Sequence, residues 1–375
     1  MTTLNDYGWG GYFEEHFKIH AGTGLRPARI TKETKNKFWL MTEDGEAEAI
    51  ISTKFFMSTF AKEQLPVVGD WVAVQKPEGY NEYFIEALLP RRTKLIRKGK
   101  DTFGRNFEKA GDGGIRIITS NIDTVFYVAS LDHRDFNLTK IERYILMLNE
   151  SGAEPVLILN KKDICPDLEN YLESIRTVAG NLPVHPVSAV DGDGIADLLK
   201  YIKPGRSVCF IGSSGVGKSS IINSLMGEDA MFVSDIRTAD KRGRHTTTHR
   251  EMLLFPEGGI LIDNPGIRDL KPVASQEALE NTFEDVVALE EMCRFSNCTH
   301  SGEPGCAVAE AIENGELPEK RYRNYIKLKR ETSFFEKRSV QRERFLEKAF
   351  EKEKRGIMKI KQHMRGVKRR DRYAK

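Results

Sequence analysis

The sequence predicts a multidomain α/β protein with a small β-barrel in front of it and a helical unit behind. Three observations carry this expectation: short strands separated by turn residues as far as Pro90, apolar strands alternating with amphipathic helices from Asp123, and a strand-free helical region from Ser275 onward. At about 100 to 200 residues per domain, 375 residues make two or three units that each bury a core.

The barrel is expected over residues 25–90, after an N-terminal extension of residues 1–24. Its strands are read at Pro27 to Ile30, Lys37 to Met41, Ala47 to Ser52, Val68 to Val74 and Glu82 to Leu88, with turns set by Pro66 and by Pro77 to Gly79. About five strands in ~65 residues suit a small barrel. Phe38, Trp39, Trp71, Tyr83 and Phe84 would stack on bases if they faced outward, but aromatic residues in a small barrel more often fill its interior.

Charge is distributed unevenly. The whole chain has 58 Lys and Arg against 55 Asp and Glu, yet residues 331–375 alone hold 16 basic and 7 acidic side chains, a net +9 that leaves −6 for the rest. This segment is read as a basic helical tail, a candidate for binding polyanions, with solvated surface as the alternative reading. Residues 91–114 are read as a basic linker, with eight Lys and Arg between Arg91 and Lys109 against Asp101 and Glu108. No apolar run approaches the ~18 residues that cross a bilayer, and residues 1–17 lack a secretory pattern, so a cytoplasmic protein is expected.

The α/β domain is expected over residues 115–274. The nine residues Gly212, Ser213, Ser214, Gly215, Val216, Gly217, Lys218, Ser219 and Ser220 follow the apolar strand Ser207 to Ile211 and open a helix, which is the P-loop pattern. Glycines let successive N–H groups turn toward phosphate, Lys218 reaches the β and γ phosphates, and the Ser219 hydroxyl is placed to ligate Mg²⁺ at a helix N-terminus. The base is read elsewhere. Asn160, Lys161, Lys162 and Asp163 end the strand Pro155 to Leu159, and a carboxylate at Asp163 pairs with the two adjacent N–H donors of guanine, which adenine does not offer. Ser188 and Ala189 take the place of a second base-contacting loop.

Asp263, Asn264, Pro265 and Gly266 end a further strand, Gly259 to Ile262. Asp263 is assigned to Mg²⁺ through water and the Gly266 N–H to the γ phosphate. Between this element and the P-loop lies Gly243 to Thr248, in which Thr246 and Thr247 are candidates to close over Mg²⁺. The order is the most informative feature. The base-reading elements precede the P-loop, whereas ordinary GTPases place them after it, so the domain is circularly permuted.

Residues 275–330 are expected to form a helical metal-binding unit. Cys293, Cys298, His300 and Cys306 follow a C-x4-C-x-H-x5-C spacing, and three thiolates with one imidazole close a tetrahedral Zn²⁺ shell of the structural kind. Cys165 and Cys209 stand apart and are read as core or surface residues.

The permuted order of GSSGVGKSS, NKKD, GRHTTT and DNPG, with a barrel before and CRFSNCTH to GC after, resembles the ribosome small-subunit-dependent GTPase A family over roughly residues 25 to 330. The resemblance implies an N-terminal OB-fold, a circularly permuted P-loop GTPase domain and a C-terminal zinc domain that together bind the small (30S) ribosomal subunit and its 16S rRNA and assist late 30S maturation. It implies that Asn160, Lys161 and Asp163 read guanine, that Gly212 to Ser220 bind phosphate and Mg²⁺, and that Cys293, Cys298, His300 and Cys306 bind zinc. Asn264 stands where the family often has Thr or Ser, and the long basic tail goes beyond the family pattern.

Ile267 follows Gly266 at the position where many GTPases carry a water-orienting glutamine. An isoleucine makes no hydrogen bond, so slow intrinsic turnover, raised by the subunit, is expected, with His245 as the candidate polar group brought to the water. The competing readings are a passive RNA-binding or RNA-chaperone factor ordered by GTP and a different P-loop enzyme driven by ATP. No coiled-coil repeat or broad apolar stripe calls for a dimer, so a monomer is expected.

Overall fold

The computed structural model describes residues 3–34, 37–59, 62–98, 115–132, 136–227, 250–263, 274–337, 340–341 and 344. The sequence candidates His245, Thr246, Thr247 and Gly266, the segment 99–114 and the tail beyond 344 lie outside the described residues.

A short helix, α1 (Gly11–Phe17), precedes five strands, β1 (Arg26–Glu33), β2 (Phe38–Thr42), β3 (Gly45–Ile51), β4 (Trp71–Gln75) and β5 (Tyr83–Leu88), with α2 (Thr53–Ser58) between β3 and β4. They run in the order β1-β2-β3-β5-β4, and β4 pairs back onto β1, so the barrel closes. Only β3 and β5 are parallel. Alternation sorts the aromatics: Phe38 and Tyr83 are buried while their neighbours Trp39 and Phe84 are half-buried. Trp71 is also buried, beneath Trp9 and Phe13 of the N-terminal segment, whose rings lie 4.7 and 5.5 Å from its own.

Part of the stretch read as a linker is a strand. β6 (Lys94–Lys98) pairs antiparallel with β7 (Ile115–Ser120), and Ile96 and Ile117 pack with Val67 of the barrel.

The second unit is built on β8 (Thr124–Ser130), β9 (Glu154–Asn160), β10 (Val184–Pro186), β11 (Ser207–Ile211), β12 (Arg250–Leu254) and β13 (Ile260–Asp263), ordered β10-β9-β8-β11-β13-β12. All but β12 are parallel. Both faces are covered. Val125, Tyr127 and Ala129 pack toward α3 (Leu138–Ser151) and α4 (Leu168–Ala179), whereas Phe126 and Val128 pack toward α5 (Lys218–Met226). Asn137 and Asp167 cap α3 and α4 by accepting from the Lys140 and Asn170 amides.

β12 also pairs antiparallel with β1, Glu251 opposite Lys32 and Arg250 opposite Glu33, so barrel and α/β sheet are one continuous eleven-stranded sheet. Two ion pairs of 3.1 Å, Lys32 with Glu251 and Arg250 with Glu33, lie across this seam.

The third unit consists of α6 (Gln276–Thr282), α7 (Glu284–Glu291), α8 (Ala307–Glu313) and α9 (319–337). Leu279, Phe283, Val308, Tyr325 and Leu328 form its core, joined by Leu146 of α3. The contact with α3 also contains a buried polar knot. Glu142 accepts from Arg321 Nη1 and Asn324 Nδ2, both at 2.6 Å, and Arg321 makes a two-pronged bond to Asp285 at 2.7 Å.

Candidate nucleotide site and metal centre

Parallel pairing of β9, β8, β11 and β13 brings their C-terminal ends to one edge of the sheet, where ligands of open α/β sheets bind. At that edge the chain places Asn160, Gly212 and Asp263, each at or just past a strand end. Asp263 is the last residue of β13 and is half-buried.

The loop after β11 turns sharply because of two glycines. A Cβ on Gly212 (φ +145°) would lie 2.3 Å from the Val128 carbonyl oxygen, and one on Gly217 (φ +94°) would lie 2.0 Å from Asn160 Nδ2. Gly217 caps the N-terminus of α5, the helix that begins at Lys218. Lys218 Nζ donates to the Gly212 and Ser213 carbonyls at 2.8 and 2.6 Å. Val216 is buried, holding the middle of the loop, while Ser214, Gly215, Ser219 and Ser220 are exposed.

Asn160 joins three loops. Its amide donates to the Val216 carbonyl at 2.8 Å, and its Oδ1 accepts from the Ala189 N–H at 3.1 Å. Both ends of this buried side chain are therefore engaged within the protein, tying the Val216 and Ala189 loops to the end of β9. Lys161 is held in the left-handed region at φ +70°. Asp163 Oδ1 accepts from the Ser188 hydroxyl at 2.8 Å, which brings the loops after β9 and β10 together. Lys162 turns to Asp193 at 2.6 Å on the neighbouring loop.

Lys140 was not expected here. From the first turn of α3 its Nζ donates to the Ser213 hydroxyl at 2.6 Å. The signal available beforehand was positional: α3 follows the strand next to β11, so its N-terminus had to face the loop after β11.

The second centre lies between α7 and α8. One donor atom each from Cys293, Cys298, His300 and Cys306 falls within 4.8 Å of the others, and His300 Nδ1 is 3.5 Å from the sulfurs of both Cys293 and Cys306. Tetrahedral sites with bonds of about 2.3 Å to sulfur put donors roughly 3.8 Å apart, so this four-donor set is compatible with one zinc ion and leaves no coordination position open. Glu303 closes the intervening turn, accepting from the Thr299 and Ser301 amides at 2.9 and 2.8 Å. Its hydrogen bond from the Thr299 hydroxyl, with those amides, pulls its carboxyl down to about 2. Cys165 is half-buried and Cys209 is buried in β11. Among the described residues no helix is long and apolar enough to cross a membrane.

Comparison with known proteins agrees with this geometry. A family model described as RsgA GTPase matches residues 88–272. The chain is 40% identical over 346 residues to the small ribosomal subunit biogenesis GTPase RsgA of Opitutus terrae, covering 90% of this chain and 91% of that one. It is 39% identical over 349 residues to the protein of the same name from Methanosarcina acetivorans, covering 91% and 90%. Among solved structures, YjeQ from Thermotoga maritima is similar at a TM-score of 0.57 with 27% identity, over 82% of this chain and 98% of that one. YloQ, a circularly permuted GTPase, shares the fold at a TM-score of 0.56 with 22% identity, over 84% of this chain and 97% of its own. With its barrel, its permuted strand order and its Cys3His cluster, the chain belongs to the RsgA GTPase family.

Proposed function

We propose that this chain hydrolyses GTP to GDP and phosphate while bound to the small (30S) ribosomal subunit and its 16S rRNA, and that it assists late maturation of that subunit in the cytoplasm as a monomer. The observation that carries the reading is the meeting of the P-loop, the Asn160 to Asp163 loop and the Ser188–Ala189 loop at one sheet edge, in a chain 40% identical to a small ribosomal subunit biogenesis GTPase.

In this reading the N–H groups of 214–219 cradle the phosphates, and Lys218 exchanges its two carbonyl partners for phosphate oxygens. Mg²⁺ bound with the nucleotide neutralises charge on the phosphates, and Ser219 and Asp263 are the residues that would hold it. Asp163 accepts from the guanine N–H groups, and the Ala189 loop, fixed by Asn160, meets the base oxygen. Zinc at Cys293, Cys298, His300 and Cys306 is structural. Ile267 cannot orient water, so turnover is slow until the subunit binds, with His245 supplying the polar contact, Thr246 and Thr247 closing over Mg²⁺ and the Gly266 N–H meeting the γ phosphate.

The test is phosphate release from GTP and ATP, with and without purified small or large subunits. Low GTP turnover raised only by the small subunit supports the reading; indifference to subunits favours an RNA-binding factor that holds GTP as a structural ligand. Asp163→Asn should move preference from GTP to xanthosine triphosphate, and His245→Ala with undiminished subunit-stimulated turnover would remove His245 from the mechanism.

A further inference from the structure

Glu290 stands on the last turn of α7, three residues before Cys293, and only 19% of its side chain is exposed. Its carboxylate gathers three partners. Tyr325 OH and Lys329 Nζ of α9 each donate at 2.8 Å, and His300 Nε2 lies at 3.5 Å. The His300 ring therefore turns Nδ1 to the cysteine sulfurs and Nε2 to Glu290. An imidazole that gives one nitrogen to a cation keeps its proton on the other, and a carboxylate at that second nitrogen fixes both tautomer and ring plane.

We propose that Glu290 is the positioning residue of the metal centre and that it ties metal occupancy to the docking of α9. The proposal rests on the zinc reading of the Cys3His cluster. Residues 321, 325 and 329 recur every four positions and so share one face of α9. Along that face, Arg321 and its neighbour Asn324 hold Glu142 of α3, while Tyr325 and Lys329 hold Glu290. One helix thus grips the α/β unit through Arg321 and Asn324 and the metal centre through Tyr325 and Lys329. Loss of the ion frees His300, loosens Glu290 and weakens the grip of α9.

The experiment uses the full chain. Zinc affinity is measured by competition with a chromogenic chelator, the Co²⁺-substituted protein is followed by its visible absorption, and hydrogen exchange is read over 319–337. Glu290→Gln, which keeps the side-chain volume, should weaken zinc binding roughly 10- to 100-fold, shift the Co²⁺ bands and raise exchange in α9. Lys329→Met should raise exchange in α9 with a smaller loss of zinc affinity. Glu291→Gln, at the exposed neighbouring position, should match the parent protein. Parental zinc affinity and Co²⁺ spectrum in Glu290→Gln, or α9 exchange indifferent to metal removal, would overturn the proposal while leaving the zinc site standing. A parent protein that binds no stoichiometric zinc would instead overturn the zinc reading beneath it.

Discussion

Arg29 of β1 donates from Nη2 to the Ser207 hydroxyl at 2.9 Å, so a barrel residue holds the first residue of the strand that leads into the P-loop. The same guanidinium reaches the Asn121, Gly69 and Tyr7 carbonyls. Burial brings its pKa down to about 10, which leaves it charged at neutral pH and dependent on these acceptors. Arg29→Met would strand three buried acceptors, since the Gly69 carbonyl still accepts from Asn121 Nδ2, and a loss of about 3 kcal/mol or more is expected in urea unfolding. A loss below about 1 kcal/mol would mean that water replaces the guanidinium.

Asn160→Ala should weaken GTP binding by roughly 10- to 100-fold. Each of its two hydrogen bonds contributes about 1 kcal/mol, and their loss unties the Val216 and Ala189 loops together. Titration of a fluorescent GDP analogue reads the effect.

Gly217→Ala is expected to abolish that titration altogether, through backbone strain at φ +94° and through displacement of the Asn160 amide. The two causes separate in a double-mutant cycle on unfolding free energy. In an Asn160→Ala background the steric cost disappears and only the strain remains, so the destabilisations should sum to less than additive.

Arg321→Met should destabilise by about 3–5 kcal/mol at neutral pH, because it leaves the Glu142 carboxylate buried without its cation. Burial already raises the Glu142 pKa from its usual 4.5, opposed by Asn324 and Arg321. A raised carboxyl pKa stabilises the fold below the unfolded value, and that contribution is lost as pH rises through the folded value. Removing Arg321 pushes the folded value higher. The penalty should therefore shrink as pH is lowered and Glu142 takes up its proton; a penalty independent of pH would assign the loss to packing.

How much of this was legible in the sequence depended on distance along the chain. β11 was readable from Ser207 to Ile211 because an apolar run between Arg206 and Gly212 has few other uses. β6 was hidden: Lys94, Arg97 and Lys98 made it read as charge rather than as strand. Phe283, with φ −120° and ψ 38°, divides α6 from α7, and its ring is fully buried against Tyr325, a boundary set by a contact 42 residues away in sequence. The P-loop, the Asn160 to Asp163 loop and the Cys3His spacing were visible because their residues are near neighbours in sequence. Lys140 meets Ser213 across 73 residues, and Arg29 meets Ser207 across 178, and no local pattern encodes either contact.

The pairing of β12 with β1 also governs how the chain avoids its own copies. β12 closes one side of the α/β sheet, and without β1 its outer row of N–H and C=O groups would be an open template for another molecule. The barrel covers the end of that edge at Arg250 and Glu251 and gives both residues opposite charges to face. Residues 115–274 expressed alone would carry the exposed edge, and self-association that rises with concentration is expected of them in sedimentation. In this protein the barrel is thus also an edge guard for the domain that follows it.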